Sequence, residues 1–498
     1  MEILLGIVRF IGVIFLVLLI FNLMIVVHEW GHFLAGRWRG LVIDRFQIWF
    51  GKPIWKKTYN GVQYGLGTIP AGGFVSLPQM APMEAIEGSA SDDVKKEPLP
   101  PISPLDKIIV AFAGPLFSFL LAVAFAVVVW IVGQPEDQAS ATTVIGSVAK
   151  TMEVGGKEIE GPAWKAGIRP GDDVQYINGH RVNKFLGMND SINWLVVSAE
   201  SDDIEVRVLR DGKEMTFVAH APLPEPEQVD GNLLQKGWNT LSSRRQLRKI
   251  GIGPATTPVV AGSLANSPAA DVDLKEGDIV TAIDGKPVTT LNEIFDIEFV
   301  ADKPVEFTVE RGKKTHTVTL TPRLPDQPND YEEALTGIIY NSAGEQKIIH
   351  VSPFTLVGDS FRTIVNTLQK VVSPKSAIGA DQLSGPVGIM SLYYRLFQHP
   401  DGWRLVLWFS IVLNVNLAIL NLMPFPVLDG GHIVMSTLEA IRRKPLNFKM
   451  LEIVQTAFVI LLLGFMAFVT FKDVGDHVPN GSQGESKEPV FLPPGGNS

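Results

Sequence analysis

Four stretches of the chain are apolar over lengths that cross a bilayer. The first runs from Leu4 to Ala35 and carries no charge between Phe10 and Val27; the second, Ile108 to Gly133, carries none at all. The third spans Leu405 to about Leu428 and the fourth Ile453 to Phe471. A helix rises about 1.5 Å per residue, so roughly 20 apolar residues cross a hydrocarbon layer of about 30 Å. Between the first two spans the pattern changes to strand-like segments, VIDRFQIWFGKPIWKKT and VQYGLGTIPAGGFVSL, separated by the turn pair Asn60-Gly61. They predict a membrane-associated β-hairpin. Non-helical backbone at membrane depth is tolerated only against protein or a water cavity, so this hairpin would dip toward the end of the first span. From Pro78 to Pro104 the sequence is polar and Pro-rich, a flexible loop.

The composition then turns water-soluble for over two hundred residues and repeats itself. GPAWKAGIRPGDDVQYINGHRV (Gly161–Val182) is echoed by NSPAADVDLKEGDIVTAIDGKPV (Asn266–Val288). Each copy has a short Ala-containing helix, a Gly-Asp turn, an apolar strand and an Asn-Gly or Asp-Gly turn. Each is followed by a strand pair, IEVRVLRDGKEMTFVAH in one and VEFTVERGKKTHTVTL in the other. Two copies of one small β-rich module are predicted, acting as peptide-binding modules or as rigid spacers. Farther on, Phe354, Val357, Phe361, Ile364, Val365, Leu368 and Val372 recur at helical spacing with a polar opposite face. That amphipathic helix can lie on the membrane surface or against the modules. The tail after Lys472 is polar and rich in Gly and Pro, which predicts disorder.

The parts are therefore 1–140, an N-terminal membrane part; 141–222, the first module; 223–248, a linker; 249–325, the second module; 326–403, a connecting segment with the amphipathic helix; 404–475, a C-terminal membrane part; and 476–498, the tail. Composition agrees with this division. Mean hydropathy is positive, +0.20, yet 19% of the 498 residues are charged. A net charge of -9 excludes nucleic acid as a natural partner. There is no Cys, so disulfides and thiolate metal sites are excluded. The N-terminus lacks a basic stretch and a small-residue cleavage site, so the first span reads as retained.

Chemistry enters where the first span ends, at His28-Glu29-Trp30-Gly31-His32. Positions i and i+4 share one helical face, so both imidazoles can bind one zinc ion while Glu29 serves as general base. Ionisable residues on a membrane helix are costly and functional by default. The third span ends in Asn421-Leu-Met-Pro424-Phe-Pro426-Val-Leu-Asp429-Gly-Gly. Two prolines break the helix just before Asp429, and a carboxylate there calls for a partner; a metal ion supplies one. His432 is not read as a ligand. Arg and Lys crowd the loop after the first span and the segment after the third (Arg442, Arg443, Lys444, Lys449). The positive-inside rule places both in the cytoplasm, so His28, His32 and Asp429 approach one side and the modules lie outside.

Together these motifs resemble the site-2 proteases, most of all their bacterial regulator-of-sigma-E branch; the paired modules resemble the PDZ domains of bacterial proteases. The resemblance covers nearly the whole chain. It implies a polytopic α-helical membrane protein with about four transmembrane helices, the β-hairpin and two extracytoplasmic PDZ-like domains. It implies a bacterial inner-membrane endopeptidase with Zn2+ on His28, His32 and Asp429 and with Glu29 activating water. Asn421, Pro424 and Pro426 would shape substrate engagement, and Phe50 and Gly51 of the hairpin would contact substrate. An edge strand from Arg45–Lys57 would hold the substrate extended. The implied substrate is a single-span membrane protein, an anti-sigma factor or a remnant signal peptide, trimmed beforehand by an upstream site-1 protease. Two positions depart from the family pattern: Ser118 where an Asn usually follows Gly114-Pro115, and Trp49 where the hairpin usually has Gly-x-Gly. Two rival readings remain: a silent scaffold, which would lack a ligand, and a zinc-dependent transporter, which would show several broken spans in symmetry.

Overall fold

In the computed structural model the described residues are 2–80, 102–224, 243–326, 333–444, 448–476 and 489–491. Most of the Pro-rich loop, of the linker and of the tail lies outside them. The chain forms two units: Met1–Gln134, His350–Val365 and Leu383–Gly475 make one, and Pro135–Ile349, Asn366–Gln382 and Asp476–Ser498 the other.

The first unit is built from helices α1 (Glu2–Trp38), α2 (Pro104–Val132), α4 (Pro386–Gln398), α5 (Gly402–Asn421), α6 (Asp429–Arg442) and α7 (Phe448–Gly475), with α3 (Pro353–Val372) shared between units. Four helical segments, Phe10–Trp38, Pro104–Val132, Gly402–Asn421 and Lys449–Gly475, are long and apolar enough to span. Helix α2 is central and packs against α1, α5 and α6. Its buried face carries Gly114, Ser118, Ala122 and Ala126, one small residue per turn. Small side chains at i+4 spacing let helix backbones close where lipid offers no hydrophobic drive. The close approach expected at Gly114-Pro115 is made by α1: a Cβ on Gly31 would lie 2.4 Å from the Ala113 carbonyl oxygen.

The predicted hairpin is one part of a four-stranded mixed sheet, in the order β2 (Trp55–Tyr59), β3 (Val62–Leu66), β1 (Arg45–Phe50), β4 (Ile69–Ser76). Asn60-Gly61 does turn β2 into β3, with φ of 49° and 81°, as a two-residue primed turn requires. Each predicted segment is cut in two, the first at Gly51-Lys52-Pro53 and the second at Gly67-Thr68, and β1 then pairs β3 in parallel and β4 antiparallel. Phe33 of α1 and Val110 of α2 join Phe46, Val62, Val75 and Leu77 in one core beneath the sheet. Strand β1 is therefore internal; the sheet's two edges are β2, which begins at Trp55 within the expected Arg45–Lys57, and β4, which lies beside the motif.

Two helices escaped the sequence reading. Helix α4 packs Tyr393, fully buried, against Ser410 of α5 with their hydroxyls 2.9 Å apart. Asp473, buried on α7, accepts from the amides of Gly385 and Gly388 at 3.0 and 2.7 Å and so caps α4. Helix α6 starts at Asp429 itself. On α3, Leu356, Val357, Ser360 and Ile364 are buried while Phe354, Phe361 and Val372 are exposed; its last turns bond Asn366 to Asn189 and Lys370 to Glu200.

In the second unit the two modules repeat one plan. The first has strands 180–181, 173–177, 203–210 and 213–220 in that order; the second aligns 314–320, 305–311, 279–283, 259–263 and 338–341. Asn178-Gly179 and Asp284-Gly285 turn at positive φ in both. An ion pair repeats as well. Arg210 grips Asp172 through Nε and a terminal nitrogen at 2.5 and 2.7 Å, and Arg311 grips Asp278 at 2.7 and 2.7 Å. In each module the same carboxylate also accepts a backbone amide, from Arg169 and Lys275, at 2.9 Å. The boundaries at 249 and 325 need correction. Residues 252–254 pair with 145–148 of the first module, and 338–341 pair with 259–263 of the second. These strands have three and four residues, too short to show an alternation. Of the tail read as disordered, residues 489–491 are ordered against the second module.

Candidate metal centre

The i, i+4 spacing on α1 points His28 and His32 to the same side, and α6 delivers Asp429 to meet them. His28 Nε2 and His32 Nε2 are 3.2 Å apart; Asp429 is 3.3 Å from the first and 3.4 Å from the second. All three residues are buried, and among the described residues they form the one His/Asp/Glu cluster able to hold an ion. Donors bound at about 2.0–2.1 Å to a tetrahedral ion stand roughly 3.3 Å from one another. The observed spacings match, and two imidazoles with a carboxylate are a zinc donor set that leaves one position open.

The outer nitrogens are also committed. His32 Nδ1 is 2.8 Å from the Val110 carbonyl. A carbonyl only accepts, so Nδ1 carries the proton and the neutral ring presents the Nε2 lone pair to its neighbours. His28 Nδ1 lies 3.0 Å from Ser118 Oγ, which is fully buried. Partners of this kind orient metal-binding imidazoles. Ser118, met above as a departure from a family pattern, here sets the ring of His28. Space is supplied by Gly114, where a Cβ would stand 2.2 Å from His32 Nε2 and 2.8 Å from His28 Nε2. The Gly-Pro pair read as a packing device thus also lets the two imidazoles pack against the α2 backbone.

Asp429 reaches the site through the break in the third span. Helix α5 ends at Asn421, and α6 begins after only seven intervening residues, with Asp429 in its first turn. A helix N-terminus favours a carboxylate. Gly430 and Gly431 let the segment fold back on itself, since Cβ atoms there would lie 2.3 Å from the Leu422 oxygen and 2.1 Å from that of Phe425. Within the break Pro424 is exposed, Asn421 and Pro426 are half-buried, and the Pro426 oxygen accepts from Gln455 of α7 at 3.1 Å. His432 is buried nearby, but is not one of the three converging residues.

Glu29 faces the sheet. A Cβ on Gly73 of β4 would be 3.4 Å from Ile25 and 3.8 Å from Glu29 Cγ. Phe50 lies across Gly72, its ring 6.5 Å from that of Phe74. Trp49 and Phe50 end β1, where its register against β4 shifts, and Gly51 opens the turn that follows. Trp49 takes a φ of 68°, rare for a bulky residue. Gln47, itself buried, holds the turn by donating to the Trp49 and Gly51 oxygens at 3.0 and 2.9 Å. The Trp49 indole donates to Asn22 of α1, so this side chain is tied back to the first span.

The chain is similar to a regulator of sigma E protease of Salmonella typhi, 26% identical over 476 residues with 91% of this chain and 96% of the relative covered. It is also similar to a protease RseP of Yersinia pestis, 26% identical over 474 residues, covering 91% and 96%. Among solved structures, the PDZ domain of an SdrC-like protein from Listeria monocytogenes matches 18% of this chain and 95% of its own at 23% identity, with a TM-score of 0.15. Peptidase family M50 matches residues 15–465. That match takes in the motif on the first span, both modules and the broken third span that carries Asp429, and so this chain belongs to Peptidase family M50, the family of the site-2 proteases.

Proposed function

We propose that this peptidase uses zinc to cleave the transmembrane segments of single-span proteins in the bacterial inner membrane. The observation that carries the reading is the convergence of His28, His32 and Asp429 at the end of an uncharged span, with Glu29 beside an open strand edge. His28, His32 and Asp429 would hold the ion, and bound zinc would supply Lewis acidity that lowers the pKa of water toward about 7. Glu29 holds the proton taken from the attacking water and returns it to the leaving amine.

A transmembrane substrate arrives as a helix with its carbonyls tied in i→i−4 bonds, so it must be extended before attack. Strand β4 is the fitting template. Among the described residues its outer edge pairs with no strand, Gly72 makes room for the Phe50 ring, and Gly73 lies beside Glu29. An extended segment would add there through main-chain bonds. Phe50 and Gly51 border this edge, whereas Asn421, Pro424 and Pro426 form the break from which Asp429 enters. Asn421 can also donate to a developing oxyanion.

The basic residues around Arg37–Lys57 and Arg442–Lys449 support a cytoplasmic side for the metal end. The modules then stand outside, as a size filter that admits a substrate trimmed by an upstream site-1 protease, and secondarily as receptors for the new chain end. Anti-sigma factors and remnant signal peptides fit that description. The test is paired. Glu29→Gln should abolish cleavage of a single-span substrate in proteoliposomes while about one zinc per chain remains bound; Asp429→Asn should lose zinc and activity together. Wild-type zinc content and turnover in purified Asp429→Asn would rule out this ligand set.

A further inference from the structure

The tail places a short peptide on the second module. Phe491 is buried to 2% exposure, yet it lies outside the module's own core of Val260, Val280, Phe307, Val309 and Leu320. The third and fourth apolar segments separate it in sequence from Asn266, Arg323 and Gly337, which it meets. The Asp326 amide donates to the Val490 oxygen at 2.9 Å. Asn266 Nδ2 donates to the Phe491 oxygen at 3.2 Å, from a left-handed backbone with φ of 56°. The Arg323 guanidinium stands 5.0 Å over the Phe491 ring and also donates to the Asn266 carbonyl. Gly337, at φ of 73°, brings its loop against the fully buried Ser267 and to within contact of the ring. Backbone bonds, a buried aromatic and a cation over its face are how an extended peptide is held.

We propose that Asn266, Ser267, Arg323 and Gly337 form a peptide site with an aromatic anchor, occupied in cis by Pro489–Phe491, and that the tail competes there with extended peptides of the same chemistry. The proposal is independent of the metal site. Tethering gives the tail an effective concentration of the order of millimolar, so a peptide in solution meets a site already filled. Removing the tail opens it, and losing the aromatic ring weakens the tail's hold by at least about tenfold.

The test uses the full chain in nanodiscs and a fluorescent peptide of residues 485–495. A chain ending at residue 488 is expected to bind that peptide at least about tenfold more tightly than wild type. Adding Arg323→Ala or Asn266→Ala to the shortened chain should weaken that binding. In the complete chain, Phe491→Ala should speed hydrogen exchange at the Asp326 amide while the Val280 and Phe307 amides stay protected, which separates release of the tail from unfolding of the module. Equal binding by the complete and shortened chains, absence of binding by both, binding indifferent to Arg323 and Asn266, or unchanged exchange at Asp326 in Phe491→Ala would each overturn the proposal.

Discussion

Replacing Gly114 by Ala separates helix stability from metal binding, because the two should move in opposite directions. In an exposed helix interior Ala is favoured over Gly by about 1 kcal/mol. At Gly114 the added methyl would sit 2.2 Å from His32 Nε2 and 2.8 Å from His28 Nε2, where ordinary contact begins at 3.4 Å. Neither imidazole can simply swing aside, since Val110 and Ser118 hold their outer nitrogens. The rings or the α1–α2 packing must therefore yield by about 1 Å, beyond the roughly 0.5 Å that a metal constellation tolerates. A displacement of that size costs about 10²-fold in activity. Gly464→Ala is the control, for nothing lies within 4 Å of its added carbon. The assay is zinc content by mass spectrometry beside cleavage of a reconstituted single-span substrate, with thermal unfolding of both variants. Gly114→Ala should lose zinc and cleavage while Gly464→Ala keeps both. A Gly114→Ala enzyme with full zinc and full turnover would refute the geometry on which the site rests.

Ser118→Ala should reduce zinc affinity or turnover by about 10–100-fold, because it strips the buried Nδ1 of His28 of its partner; equilibrium dialysis against a zinc chelator measures it. In the second module, hydrogen bonds from Arg311 hold the Asp278 carboxyl below the usual range. A carboxyl lowered on folding contributes its full stability above the ordinary Asp value and loses it only as pH falls through the lowered one. Asp278→Asn should therefore destabilise the module by about 2 kcal/mol at pH 7, and its deficit against wild type should shrink only below about pH 4. A deficit that persists undiminished in strong acid would exclude this pairing as its source. Deleting both modules should let an untrimmed substrate be cleaved with zinc still bound; equal discrimination between trimmed and untrimmed substrates before and after deletion would defeat the size-filter reading.

The local elements were legible wherever a periodicity or a turn code is long enough to read. Charge-free runs marked the spans, Asn60-Gly61, Asn178-Gly179 and Asp284-Gly285 marked turns, and an i, i+4 spacing put His28 beside His32. Asp429 was legible because a carboxylate at the end of a broken span demands a partner. What stayed hidden depends on neighbours distant in sequence. Ser118 and Val110 lie 90 and 78 residues from the imidazoles they orient, and no local pattern announces either contact. Arg210 and Arg311 find their carboxylates only after a sheet has formed. Strands of three or four residues, such as 252–254 and 338–341, carry too little pattern to reveal which module they complete. The same holds for Val490 and Phe491, whose ordering comes from a pocket that the tail's own polar composition does not predict. Sequence by itself determined which segments are long and apolar enough to cross a membrane and which residue types could hold a metal, since those follow from local solvation and helix geometry. Only the tertiary structure decided which strand edge faces Glu29, what orients each histidine and where the tail docks, because those depend on backbones brought close by packing at glycines 31, 73, 114 and 337.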